Sequence, residues 1–230
     1  MSYISSQDHP CISNCALLRG VRPEDLNDAL EFLDAFEKKY KKNNMIFLIG
    51  DPFRYAGIVL NGTVELSFLD EGDNSVNMNH FSAGSVFGES LACAEAAKSP
   101  VQMQALTDCR ILFLDLKRII KAESLLPGYQ SVIGSNLLQE FARRNVFLNQ
   151  KIQILSQRKL RDKLRVFFRL QPISADGIIE LRFNRSQLSE FLGVNRSALS
   201  RELSMMQDDG ILLVEGNRIQ VLDRHFLLNA

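Results

Sequence analysis

Arg196 and Arg201 stand five positions apart in VNRSALSREL, residues 194–203, and only small or hydroxyl-bearing side chains and one leucine separate them. An arginine guanidinium can give two hydrogen bonds to the O6 and N7 acceptors of guanine. Ser197, Ala198 and Ser200 are short enough to let a helix approach base edges, and the two hydroxyls can bond to bases or phosphate. The wider stretch SQLSEFLGVNRSALSRELSMM reads as two short helices. Leu188, Phe191 and Leu192 form the inner face of the first, and Leu199, Leu203 and Met206 that of the second. Gly193 falls where a helix commonly ends in a left-handed residue, and Asn195 is a good N-cap for the next helix. Two such helices joined by a tight turn make a helix-turn-helix. Arg196, Ser197, Ser200 and Arg201 then lie opposite the inner face, where a recognition helix meets base edges. Arg185, Ser186 and Gln187 open the first helix, and with Asn195 they are the candidates for holding phosphate. The competing account is a solvated arginine face on an ordinary helical bundle.

Other residue types with chemistry are less organised. Cys11 and Cys15 are separated as C-x3-C rather than the C-x2-C of a metal knuckle, Cys93 stands apart, and Cys109 begins the strand-like run CRILFLDL. Four unrelated small buried residues are expected, with no metal site and no required cofactor; a redox or metal switch is the alternative. His9, His80 and His225 are scattered, with no nucleophile motif and no Gly-rich phosphate loop nearby. No catalytic residue is assigned, and the chain is not read as an enzyme.

These side chains need elements to position them. Residues 23–42 place Leu26, Leu30, Leu33 and Phe36 on one helical face, with Pro23 suited to the first turn. The run Lys38 to Lys42 leads from it towards a strand. From about residue 44 to 115, short apolar or alternating runs with Gly, Asn and Asp punctuation predict a β sandwich or barrel. In TVELSFL, Val64, Leu66 and Phe68 are expected to face one way, and Asn61-Gly62 signals a hairpin. From about 128 to 156 the pattern is helical. Ile133, Leu137, Phe141, Asn145, Leu148, Ile152 and Leu155 approximate a coiled-coil seam, read as a parallel homodimer helix rather than a core helix within one chain. Then come a basic helix (QRKLRDKLRVFFRL), a turn-rich link, a strand (IIELRFN), the two short helices, and a hairpin turning at Glu215-Gly216-Asn217 that fits a wing.

With 46% hydrophobic and 23% charged residues, the composition is that of an ordinary globular protein. No apolar run approaches the ~20 residues of a membrane span, and the first ten residues lack the pattern of a secretory signal, so a cytoplasmic location without membrane contact is expected. The net charge is zero, but residues 157–230 carry 12 basic and 9 acidic residues. This basic excess falls on the segment that holds the two arginines.

GVNRSALSREL with the trailing MQDDGIL, together with GSVFGES in the first half, resembles the cyclic-AMP receptor/FNR superfamily of bacterial transcription regulators over essentially the whole chain. The resemblance implies an α+β fold. An N-terminal β-roll (double-stranded β-helix) sensor, 1–126, would be joined by a dimerisation helix, 127–156, to a C-terminal winged helix-turn-helix, 157–230. It implies base-reading roles for Arg196 and Arg201, with Ser197 and Ser200 also in contact. The cyclic-AMP receptor and FNR carry Glu at the position of Ser197, so the resemblance does not carry their half-site over to this chain. In family members that bind cyclic nucleotides, Gly-Glu is followed about ten residues later by Arg-Ser or Arg-Thr, whose arginine meets the cyclic phosphate. Here Gly88 and Glu89 are followed by Lys98 and Ser99-Pro100, and the pair that would meet adenine falls at Leu148-Asn149. The phosphate's bidentate partner is missing, so an effector other than cyclic AMP is expected. Partners implied are a two-fold symmetric DNA operator, a second copy of the chain, and RNA polymerase if the protein activates. The rival reading is a cyclic-nucleotide or redox/metal sensor acting through protein contacts.

Overall fold

The computed structural model describes residues 9–72, 75–121, 128–181 and 183–228. The fold is α+β and divides into two compact units, 1–142 and 143–230, with the division inside one long helix.

The first unit opens with helix α1 (His9–Asn14) and a 3₁₀ turn, Pro23–Asp25, that leads into α2 (Leu26–Phe32). Pro23 sits in the first turn, as its fixed φ favours. The helix does not reach Phe36, because Asp34 takes a left-handed conformation (φ 51°) and the Ala35 N–H returns to the Leu30 carbonyl. Phe36–Tyr40 forms strand β1 instead, antiparallel to β8 (Cys109–Leu114), with Phe36 stacked on Phe113 at 5.3 Å between ring centroids. Tertiary pairing overrides the helical spacing here, and Lys38 and Lys39 lie on an edge strand, where charge opposes further pairing.

Between them lie β2 (Met45–Phe47), β3 (Ala56–Asn61), β4 (Thr63–Leu69), β5 (Ser75–Ser82), β6 (Val86–Phe87), helix α3 (Glu89–Cys93) and β7 (Gln102–Ala105). They form two antiparallel four-stranded sheets, ordered β1-β8-β3-β6 and β2-β7-β4-β5. Val59, Val64, Phe87, Met103 and Ile111 are buried in one shared core. Asn61-Gly62 is therefore not a hairpin: β3 and β4 belong to different sheets, and the dipeptide turns the corner between them. Gly62 has φ +89°, and a Cβ there would come within 2.5 Å of the Asp108 carbonyl oxygen. The alternation in β4 also breaks. A bulge between Leu66 and Ser67 turns Ser67 inward and Phe68 outward, contrary to the expected shared face of Val64, Leu66 and Phe68.

A second core joins α1, α2 and β3 to α4 (Lys117–Ile120) and the first half of α5 (Tyr129–Leu155). Ile133 is 0% exposed and Leu137 6%, both inside this core. Neither can belong to a seam facing a partner. The Asn136 amide fastens the same stretch by donating to the Leu17 and Arg19 carbonyls. Replacing Ile133 and Leu137 with Leu138, which is 70% exposed, gives Leu138, Phe141, Asn145, Leu148, Ile152 and Leu155, a seam of strict 3,4 spacing.

The second unit contains the rest of α5, then α6 (Leu160–Arg169), β9 (Ile178–Glu180), α7 (Arg185–Leu192), α8 (Arg196–Asp208), β10 (Leu212–Glu215), β11 (Arg218–Val221) and α9 (Arg224–Leu228). The three strands form an antiparallel sheet ordered β10-β11-β9. β10 and β11 make the expected hairpin, with Glu215 paired to Arg218 across Gly216-Asn217. Phe167, Leu188, Leu199, Leu203 and Ile219 share its core with Ile154 of α5.

Candidate nucleic-acid interface

α7 begins at a capping box. The Asn184 side chain accepts from the Gln187 backbone N–H at 3.0 Å, and the Gln187 side chain accepts from the Asn184 N–H at 2.9 Å. Asn184-x-x-Gln187 is readable in the sequence as an N-terminal signature, and it is a positioning feature that the helix-turn-helix spacing alone does not reveal. It also spends the Gln187 N–H, so the first-turn donors left for an anion are those of Arg185 and Ser186. The Arg185 guanidinium donates to the Gly216 carbonyl in the wing turn at 3.3 Å, and burial lowers its pKa from the ordinary arginine value. It anchors the wing to α7.

Gly193 ends α7 with φ +64°, as its place between the helices requires. Asn195 holds the N-cap position of α8 with extended backbone (φ −68°, ψ 139°) but makes no side-chain cap hydrogen bond. Leu199, Leu203 and Met206 are buried, while Arg196, Ser197, Ser200 and Arg201 are exposed. At 100° per residue these four span an arc of about 140°, one continuous polar face. Arg201 Nε donates to the Ser197 carbonyl at 3.4 Å, and neither arginine has an ion-pair partner among the described residues.

The helix that carries this face is held from behind. Arg161 of α6 donates to Glu202 and to Asp209, each at 2.6 Å. Lys163 donates to the Leu192 carbonyl at the end of α7, where a cation also favours the helix dipole. The Gln207 side chain accepts from the Val214 N–H, tying α8 to the wing strand. Arg161, Lys163 and Gln207 lay outside the sequence reading because their partners are 7 to 48 residues away.

The expected effector residues are arranged differently. Gly88 is left-handed (φ +74°), and a Cβ there would meet the Phe53 ring at 2.6 Å; Glu89 follows it, buried at the start of α3. Ser99 is buried, but its hydroxyl is spent on its own turn, donating to the Val101 carbonyl at 2.6 Å and accepting from the Val101 N–H at 3.3 Å. Lys98 is exposed. Leu148 and Asn149 belong to the second unit, both exposed, with the Asn149 amide donating to Asn145.

The four cysteines are free thiols. Cys109 is hydrogen-bonded to the Thr107 and Thr63 carbonyls, and Cys11 to the Val59 carbonyl. Burial and the nearby Glu89 push the Cys93 pKa up to about 11, and burial also raises that of Cys15. Among the described residues no group of three or more His, Cys, Asp or Glu side chains could hold a metal ion, and no helix is long and apolar enough to cross a membrane.

Comparison with known proteins places both units. Residues 37–122 match the model of the cyclic nucleotide-binding domain, and residues 164–230 that of the Crp-like helix-turn-helix domain. The chain is 24% identical over 209 residues to the transcriptional activator protein Anr of Pseudomonas aeruginosa, covering 87% of this chain and 82% of that protein. It is 24% identical over 232 residues to the transcriptional activator protein FnrA of Stutzerimonas stutzeri, covering 96% and 92%. Among solved structures, the catabolite activator protein of Thermus thermophilus superposes with a TM-score of 0.54 at 21% identity, covering 93% of this chain and 96% of that one. With a cyclic nucleotide-binding β domain preceding a Crp-type DNA-binding helix-turn-helix in one chain, the protein belongs to the Crp/Fnr family of transcription regulators.

Proposed function

We infer that the protein is a homodimeric, sequence-specific regulator of transcription acting in the cytoplasm. The exposed Arg196-Ser197-Ser200-Arg201 face of α8 carries this reading: neither of its long cations has an ion-pair partner among the described residues, and it is held from behind by Arg161. Arg196 and Arg201 read guanines in the major groove, with the Ser197 and Ser200 hydroxyls beside them. The first-turn N–H groups of Arg185 and Ser186, with Asn195, meet phosphate; Gln187 contributes its side-chain amide rather than its backbone. Leu138, Phe141, Asn145, Leu148, Ile152 and Leu155 form the dimer seam, and the operator is two-fold symmetric with half-sites about one helical turn apart.

The β domain senses a small molecule other than cyclic AMP. The Arg-Ser fork is replaced by exposed Lys98 and an internally bonded Ser99, so the region of Gly88 and Glu89 lacks the bidentate phosphate partner. Bound in the β domain, the effector changes how the dimer helices pack near Leu148 and Ile152, because it has different affinity for the two arrangements. If the protein activates, RNA polymerase is its further partner. Chemistry at the DNA requires no cofactor.

The test is selection of binding sites from a random duplex pool. A two-fold symmetric motif with guanine in each half-site is expected, and Arg196→Ala or Arg201→Ala should cost about 1–3 kcal/mol and relax one base pair. Selection with and without cell extract that yields no enriched sequence would turn the reading towards a sensor acting through protein contacts.

A further inference from the structure

A cleft of about 370 Å³ opens in the second unit, with no residue of α8 in its wall. Its walls are Arg169 in the last turn of α6, Ile173 and Ser174 in the following loop, Val221 at the end of β11, and Arg224 and Leu227 of α9. Val221 and Leu227 are buried and give it an apolar floor; Ile173 adds an exposed apolar edge. The Arg169 guanidinium has no hydrogen-bond or ion-pair partner among the described residues. One Nη of Arg224 donates to the Ala175 carbonyl, which fixes that guanidinium while leaving it further N–H donors. No carboxylate lines the cleft among the described residues: the nearby Asp223 accepts from the His225 N–H, and Asp176 is not part of the wall.

Two cations in a wall that holds no carboxylate among the described residues call for an anion, and guanidinium forks suit a carboxylate. The floor of Val221, Ile173 and Leu227 calls for an apolar body beside that anion. The volume sits at the low end of the range for small-molecule sites, about 300–1,000 Å³. The geometry points to a binding site for a small aliphatic carboxylate, with the acid group between Arg169 and Arg224 and the hydrocarbon on the apolar floor. Nucleic-acid phosphate would satisfy the arginines but leave the floor unused, and a neutral hydrocarbon would leave both charges unmatched. The site does not depend on the regulatory reading, because none of its residues belongs to the α8 face or to the seam.

The experiment is calorimetry on the full chain with three probes: octanoate, octanol and inorganic phosphate. Octanoate should bind at least about tenfold more tightly than either of the others, since only it satisfies both halves of the cleft. Arg169→Gln should weaken octanoate at least about tenfold with the melting temperature unchanged, and Arg169→Lys should recover part of that loss. Arg169 is chosen because its guanidinium makes no hydrogen bond or ion pair among the described residues; Arg224→Gln would also release the Ala175 loop. Octanoate that fails to bind, or binds equally well to Arg169→Gln, overturns the proposal. Octanol binding as well as octanoate would reduce the cleft to an apolar surface, and phosphate binding as well as octanoate would reduce it to an anion site; either result overturns the proposal too.

Discussion

The first half of α5, up to Ala142, and the second half, from Arg143, carry similar apolar side chains but spend them in opposite ways. In the first half Ile133 and Leu137 are buried against α1, α2 and α4 of their own unit, and Asn136 pins the helix to the carbonyls of Leu17 and Arg19. In the second half Ile154 alone is buried, in the core of the helix-turn-helix unit, while Leu148 is 54% and Ile152 64% exposed. Phe147 leans on Phe191 and Lys151 lies 5.2 Å from the centre of the same ring, so this half is fastened by its flank and keeps its seam open. The difference teaches that a heptad pattern tells which side chains share a face but not what covers them. One helix can be a core element at one end and an unpartnered surface at the other.

The sharpest way to break this comparison is to cut both halves. Ile133→Ala removes a fully buried side chain and should cost about 2–5 kcal/mol of stability in the first unit, measured by chemical denaturation. Leu148→Ser with Ile152→Ser should leave that stability nearly unchanged. Its effect should appear in self-association instead: with about 1.5–3 kcal/mol for each side chain that a partner buries, the double variant should run as a monomer in light scattering where the parent runs as a dimer. A parent that is monomeric throughout would sink the seam.

The comparison extends to the two faces of the helix-turn-helix unit. Arg161 is spent internally on Glu202 and Asp209, whereas Arg196 and Arg201 meet no carboxylate among the described residues, and Arg201 makes only a long bond to the Ser197 carbonyl of its own helix. Arg161→Ala should therefore lower stability, and Arg201→Ala should not; Arg201→Ala should instead relax one base pair in the selected site by about 1–3 kcal/mol. Asn184→Ala removes half of the capping box and should cost about 1 kcal/mol in thermal or chemical unfolding.

What could be read from the chain follows the range of the interactions involved. The α7–Gly193–α8 pattern was legible because its signals are local: apolar spacing within each helix and one glycine between them. The wing turn at Gly216-Asn217 was legible for the same reason. The end of α2 was not, because Asp34 is left-handed only in the setting of a β1–β8 pairing some seventy residues apart in sequence. Asn61-Gly62 carried a true turn signal, but the dipeptide does not say whether the next strand returns to the same sheet; packing against Asp108 and Cys109 decides that. Leu138 was available to the 3,4 spacing, and the broader 4,4,4 run through Ile133 and Leu137 hid it. Ser99 looked like a ligand contact by position, and only its bonds to Val101 show the hydroxyl occupied.

The smallest expected effect tests the edge strand that replaced the end of the predicted helix. Arg110 donates to both carboxylate oxygens of Glu37 at 2.8 Å, across the β1–β8 pair. This contact, outweighing partial burial, holds the Glu37 carboxyl below its usual range. A carboxyl with a depressed folded-state pKa stabilises the fold above its unfolded value, about 4.3, and that contribution disappears as the pH falls through the folded value. Between about pH 5 and pH 3 the parent should therefore lose more stability than Glu37→Gln, which has no charge to lose. Above about pH 6, where the ion pair is intact, the parent should be the more stable of the two. Because the pair is partly exposed, salt should shrink both differences. Parallel pH profiles for the two proteins would show that β1 is held by its backbone pairing and the Phe36–Phe113 stack alone.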